Sequence, residues 1–228
     1  QKTDDCPVFP SVFRLFSSRT TGCGEGFLIT ATIGERGFMF DMVICGGTII
    51  DGSGKEGYRA DVGIAGEKIA AIGQLTPQMG HRLIQAEQLV VAPGFIDPHT
   101  HSDFTILEEP LAESKIRQGV TTEIGGNCGF SVFPVRPENL PAVREYTGFF
   151  PVELPWNWVD YQGFLRELMK SGIACNFASH AGHGMIRLQV MGFSGEPASP
   201  EQMTRMSHHL RAALEQGALG LSLGPAYA

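Results

Sequence analysis

No stretch of this 228-residue chain stays apolar for the length of a membrane span, because Lys, Arg, Glu or Asp interrupts each hydrophobic run. A membrane-spanning helix is therefore not expected. Basic clusters are missing too. Seventeen Lys and Arg against 24 Asp and Glu give a formal net charge of −7, and an acidic surface repels phosphate, which argues against nucleic acid as a partner. Cysteine is scarce: Cys6, Cys23, Cys45, Cys128 and Cys175 are odd in number and scattered, so they describe no disulfide framework, and a reducing cytoplasm fits best. The chain also begins without a methionine. Residues 1–38 lack hydrophobic periodicity, and their best apolar run, Phe27 to Thr32, is too short for the core of a signal peptide. We expect residues 1–41 to be a disordered or artefactual extension, with Met39 or Met42 as a natural start.

Against that background the segment Val90-Val91-Ala92-Pro93-Gly94-Phe95-Ile96-Asp97-Pro98-His99-Thr100-His101 stands out. Its apolar run reads as a strand buried on both faces, the habit of parallel strands in α/β proteins. Side chains alternate along a strand, so His99 and His101 are expected on one face with Thr100 on the other, where two imidazoles can share a metal ion. They sit at the carboxyl end of the strand, the end at which α/β barrels carry their chemistry. A lone His-x-His is more often structural than ligating.

The block Gly119-Val120-Thr121-Thr122-Glu123-Ile124-Gly125-Gly126-Asn127-Cys128-Gly129-Phe130-Ser131 reads as a short β-branched strand running into a glycine-rich turn. Free cysteines are most often buried thiols of no special chemistry. A thiolate is nevertheless a strong zinc ligand, and Cys128 lies at the carboxyl end of the strand following the histidines' strand.

Pro93 through His101 resembles the first barrel strand of the amidohydrolase superfamily, Pro-Gly-Phe-Ile-Asp-x-His-x-His, with every fixed position present. Gly-Val-Thr-Thr followed by Asn-Cys-Gly-Phe-Ser is similar to the N-acyl-D-amino-acid deacylase branch, which includes the D-aminoacylases. The resemblance implies that His99, His101 and Cys128 hold a metal, usually zinc, as one or two ions, with Cys128 replacing the carboxylated lysine of many relatives. It implies a zinc-dependent amide hydrolase that converts N-acyl-D-amino acids, its small-molecule partners, to a carboxylate and a free D-amino acid. In that family the base is an aspartate ending the last barrel strand, and two more histidines come from strands five and six. None of these lies within this chain, so no catalytic residue is named, and a missing carboxyl-terminal half is expected to be needed in cis or in trans. Two alternatives stay open: a catalytically silent fragment or scaffold, and a hydantoinase- or dihydroorotase-like cyclic amidase, against which the Asn127-Cys128-Gly129 block argues.

Along the chain, strands at Met42 to Cys45, Thr48 to Ile50, Ala60 to Ile64, Ile69 to Ile72 and Arg82 to Ala86 form a small β-sandwich unit, residues 42–88, with a hairpin at Ala65-Gly66-Glu67-Lys68. Residues 89–228 then alternate strand and helix. After the strand ending at His101 we expect a helix at Leu111 to Gln118, strand two at Val120 to Ile124 and a long Pro-containing loop. A helix at Val159 to Lys170 follows, with Phe164, Leu165, Leu168 and Met169 facing inward and Gly172 as its cap. Strand three is Ile173 to Ala178. A helix capped by Ser199 and Gln202 buries Met203, Met206, Leu210, Ala213 and Leu214 and ends at Gly217, before strand four at Leu219 to Leu223. The expected class is α/β, a partial (βα)8 TIM-like barrel of about four βα units, half of a closed one.

Other polar residues are candidates with weaker roles. Ala178-Ser179-His180-Ala181-Gly182-His183-Gly184-Met185-Ile186-Arg187 follows strand three; His183 is assigned to a layer behind the ligands. Arg187 either neutralises an acidic substrate or makes an ordinary ion pair. The terminal Gly-Leu-Ser-Leu-Gly-Pro-Ala-Tyr resembles a deacylase block whose tyrosine lies near the substrate, which implies that role for Tyr227. Asp103 shares the histidines' alternation only if the strand continues, and is otherwise a helix or loop cap. The tandem His208 and His209 lie on the outer part of a helix and make a poor chelate.

Overall fold

The computed structural model describes residues 39–150 and 152–225; Tyr227 and the expected extension up to residue 38 lie outside the described residues. Two compact units divide at Gly94 and Phe95. In the first, β1 (Phe40–Ile49) pairs antiparallel with β2 (Tyr58–Ala65), which pairs with β3 (Lys68–Gly73), while β4 (Gly80–Gln85) and the two-residue β5 (Val90–Val91) lie parallel to β1. Among the described residues these strands form one five-stranded sheet. Strand β1 is continuous where two strands were expected, because a bulge at Gly46 absorbs the irregularity: its N–H donates to Asp61 Oδ1 at 2.7 Å. Phe40, Val43 and Cys45 form the buried face.

The second unit is mixed α/β. Parallel strands β6 (Phe95–Asp97), β7 (Val120–Gly125) and β8 (Asn176–Ser179) lie in the order β6-β7-β8. A separate parallel pair joins β9 (Ala181–Gly182) to β10 (Leu221–Ser222), so the expected fourth strand pairs with β9 and not with β8. Helices α1 (Glu113–Ile116), α2 (Leu140–Thr147), α3 (Tyr161–Ser171), α4 (His183–Met191) and α5 (Pro200–Glu215) connect them. None of the helices among the described residues is long and apolar enough to cross a membrane.

The long strand expected up to His101 is two short ones in different sheets, since Pro93-Gly94 breaks it. Pro98, which has no N–H to donate, ends β6 before the histidines. Its apolar side chains are not sealed: Phe95 is 60% exposed, because β6 has a strand neighbour on one side only among the described residues. The expected helix at 111–118 shrinks to the single turn of α1, bracketed by turn hydrogen bonds from Ala112 N to Glu109 O and from Gly119 N to Ile116 O.

Helix α3 starts where Asp160 accepts a hydrogen bond from Gly163 N and stops at Gly172, which is left-handed with φ 71°. Phe164 and Leu168 are buried, but Met169 is 82% exposed and so is not on the inner face. Helix α5 has the expected capping box between Ser199 and Gln202, and buries Met206 and Ala213 while Met203 and Leu214 are exposed. The main core gathers Phe104, Ile106, Phe130, Val132, Phe133, Leu154, Trp158, Tyr161, Phe164 and Leu168; Trp158 Nε1 donates to Val132 O at 2.7 Å, satisfying the one polar atom that burial would orphan. Phe164 lies between Trp158 and Phe177, with ring centroids 5.1 and 5.9 Å away.

The turn after β7 has little freedom. Gly126 has φ +70°, and a methyl group there would run into the His180 carbonyl oxygen and Ser179 Oγ. Both features are testable by denaturant unfolding. Phe164→Ala should lower stability by about 3–5 kcal/mol, the cost of emptying a buried aromatic site. Gly126→Ala should cost about 3 kcal/mol through a left-handed backbone and the collision together, whereas Gly52→Ala, in open space at a similar φ, should cost no more than about 1–2 kcal/mol.

Candidate metal centre

Three of the residues singled out from sequence converge. His99 Nε2 and Cys128 Sγ lie 3.1 Å apart, and one donor atom from each of His99, His101 and Cys128 lies within 4.8 Å of the others. Bond lengths of about 2.0–2.1 Å to nitrogen and about 2.3 Å to sulfur put tetrahedral neighbours at about 3.3–3.6 Å, so this spacing suits one cation with small adjustment. His101 Nδ1 is buried without any hydrogen-bond partner, the kind of orphaned acceptor that a ligand would satisfy. The two imidazoles face each other edge-on with centroids 5.9 Å apart.

How they converge differs from the expected strand alternation. The histidines leave β6 in a turn; Thr100 N donates to Ile124 O at 3.1 Å, tying that turn to β7, and the Thr100 hydroxyl meets Ser102 Oγ at 2.7 Å. On the facing loop Cys128 is held at φ +55°, a left-handed backbone in which Gly126 and Gly129 flank it with positive φ of their own. Asn127 links the two loops, its Nδ2 donating to Thr100 O at 3.2 Å and Ile124 O at 2.7 Å. Asp103 is fully buried in a single 3-10 turn, Ser102–Phe104, where its Oδ2 accepts from Gly126 N at 3.2 Å. Burial, aided by the nearby Glu123 charge, pushes its carboxyl up to about 8. The polar inner layer is completed by Glu123, fully buried on β7, with Lys115 on α1 reaching toward it.

Burial, seconded by His99, lowers the His101 pKa and so favours the neutral imidazole that a metal requires. An aromatic wall stands beside it. The rings of Phe150 and Phe130 lie 5.6 and 6.2 Å from His101, Phe150 stacks on Phe104 at 3.8 Å, and Phe130 stacks on Tyr146 at 4.8 Å. Beyond Phe104 and Phe150 opens a cavity of about 410 Å³ whose rim includes Arg144 and Trp156. His99, His101 and Cys128 do not line it.

The remaining candidates are elsewhere. His183 opens α4, one residue after Gly182, which packs on the turn carrying Cys128; Gly182 N donates to Ser131 Oγ at 3.0 Å. Arg187 makes no ion pair among the described residues: its Nη2 donates to the carbonyls of Ser194 and Glu196 at 2.6 and 2.8 Å, clamping the loop after α4. His208 is exposed on α5 and His209 half-buried there.

Sequence reasoning passed over Asn127, Glu123 and Lys115. Glu123 had a visible signal, a lone carboxylate in an otherwise β-branched strand. The aromatic wall had none, since Phe149 and Phe150 fall in the stretch read as loop.

Residues 82–228 match the family model described as the Amidohydrolase family. Among curated relatives, D-aminoacylase of Alcaligenes xylosoxydans xylosoxydans is 38% identical over 193 residues, 82% of this chain and 38% of its own length. N-acyl-D-glutamate deacylase of the same organism is 40% identical over 188 residues, again 82% of this chain and 38% of its own length. A crystal structure of D-aminoacylase superposes with TM-score 0.71 at 35% identity, over 83% of this chain and 39% of that one. The N-acyl-D-glutamate deacylase of Bordetella bronchiseptica, complexed with zinc and a phosphonate mimic of the tetrahedral intermediate, gives 0.73 at 37% identity, over 82% of this chain and 39% of that one. The chain thus spans about two-fifths of the length of these relatives. With a family match over residues 82–228 and a His/His/Cys donor cluster inside it, this chain belongs to the amidohydrolase family.

Proposed function

We propose that the chain carries part of the metal centre of an N-acyl-D-amino-acid deacylase, with His99, His101 and Cys128 as zinc ligands. The observation that carries this reading is the convergence of two imidazoles and one thiol. The relatives named above support the substrate class: amides of D-amino acids, cleaved to a carboxylate and the free amino acid. Zinc bound by these residues would supply Lewis acidity toward a carbonyl and lower the pKa of a water toward neutrality.

The chain's own residues do the holding. Neutral His99 and His101 and the Cys128 thiolate are the donors, Asn127 and Asp103 fix the loops that present them, and Phe130 and Phe150 keep water from one side of His101. The family resemblance implies a general base, an aspartate, supplied by the rest of the protein in cis or by a partner polypeptide. Residues 89–228 are then the first part of a (βα)8 barrel and 42–88 a β unit before it. The exposed edge of β6 supports that reading, since a closed barrel would cover it. The free cysteines Cys45, Cys128 and Cys175 support a cytoplasmic location.

Elemental analysis of the purified 228-residue chain should find about one zinc per chain, falling at least about tenfold in Cys128→Ser, with no hydrolysis of N-acetyl-D-methionine until the remaining part of the enzyme is supplied. A chain that binds no zinc, or that hydrolyses the amide equally well after Cys128→Ser, would refute it.

A further inference from the structure

We infer that Lys115 is a positioning residue for the metal centre: through Asp97 it fixes the backbone that presents His99. This rests on the reading of His99, His101 and Cys128 as ligands, and assigns a role to a residue that touches none of them.

Strands β6 and β7 pair Asp97 with Glu123 in parallel register, so two carboxylates share one rung across neighbouring strands. Neither oxygen of Glu123 has a hydrogen-bond partner, and the side chain is completely buried. A buried carboxylate next to a second one demands a cation. Lys115 supplies it from α1, its Nζ lying 2.6 Å from Asp97 Oδ2 and 3.6 Å from Glu123 Oε1. The other Asp97 oxygen, Oδ1, accepts the backbone N–H of His99 at 3.2 Å. The line from the buried carboxylate to the ligand is therefore continuous: Glu123, Lys115, Asp97, His99.

Each link constrains the next. Strand pairing holds Asp97 only up to its own position, because Pro98 donates nothing and the histidines follow in a turn. With one oxygen on the ammonium, the Asp97 carboxylate has a single orientation left for the His99 amide. Removing the ammonium would leave Asp97 free to rotate and the His99 amide without a fixed acceptor, so His99 would shift while Thr100 stays tied to Ile124, spreading the donors that now lie within 4.8 Å.

Titration of the metal-free 228-residue chain with Co²⁺ alone, followed by the thiolate charge-transfer and visible ligand-field bands, tests this. Wild type should bind with a clear thiolate band. Lys115→Met should bind about tenfold or more weakly with altered ligand-field bands, and Lys115→Arg, which keeps a donor for Asp97, should return to within about threefold of wild type. Because Lys115→Met strands a buried carboxylate, Lys115→Met/Glu123→Gln is measured beside it and should show the same loss with native circular dichroism. A folded single or double variant with unchanged affinity and bands would overturn the inference while leaving the metal centre intact. Failure of both to fold would overturn it as well, making Lys115 a support of the fold alone. A wild-type chain without a thiolate band would instead remove the metal-centre reading on which the inference stands.

Discussion

The approach of the Cys128 sulfur to the His99 imidazole, 3.1 Å across two loops that leave neighbouring parallel strands, is the contact to which the rest of the second unit is fitted. Soft and borderline donors brought this close are under-satisfied by one another, and a cation resolves the surplus of lone pairs far better than a weak S–H hydrogen bond does. Parallel pairing of β6 with β7 sets the two loops side by side, and the left-handed backbone of Cys128 turns its side chain toward the histidines.

Around that contact the polar groups are arranged in layers. Asn127 bridges the carbonyls of Thr100 and Ile124, Asp103 receives the amide of Gly126, and the Glu123–Lys115–Asp97 line reaches the amide of His99. Each of these lines ends on main chain, which fixes where a donor residue starts more than how its side chain is turned. On the opposite side the barrier is apolar, with Phe104, Phe130 and Phe150 packed ring on ring and against His101. One flank supplies geometry and the other supplies a low dielectric.

Much of the centre could be read from the chain because its chemistry is local: His-x-His after an apolar run, and Asn-Cys-Gly after a β-branched one, each mark the carboxyl end of a strand. What could not be read was the route to convergence. Alternation along a strand would have aligned His99 with His101, yet Pro98 ends the strand first, and a turn does the aligning. Helix α4 escaped notice for a related reason: Met185, Ile186, Leu188 and Gln189 are all buried, so no polar face gives it a helical period. Helix α2 was hidden by the prolines around it, although Pro141 lies within its first turn, where proline is tolerated. Conversely, Met169, Met203 and Leu214 were placed inside because periodicity reports a face, not what lies opposite it. The Ser199 capping box was legible in full, since its donors and acceptors are three residues apart.

X-ray absorption at the zinc edge of the zinc-loaded chain tests most directly whether these three side chains share one ion. A first shell with one sulfur at about 2.3 Å and nitrogen donors at about 2.0–2.1 Å is the expected result. A shell of nitrogen and oxygen alone, with no sulfur, would contradict the assignment of Cys128 and with it the metal centre described above.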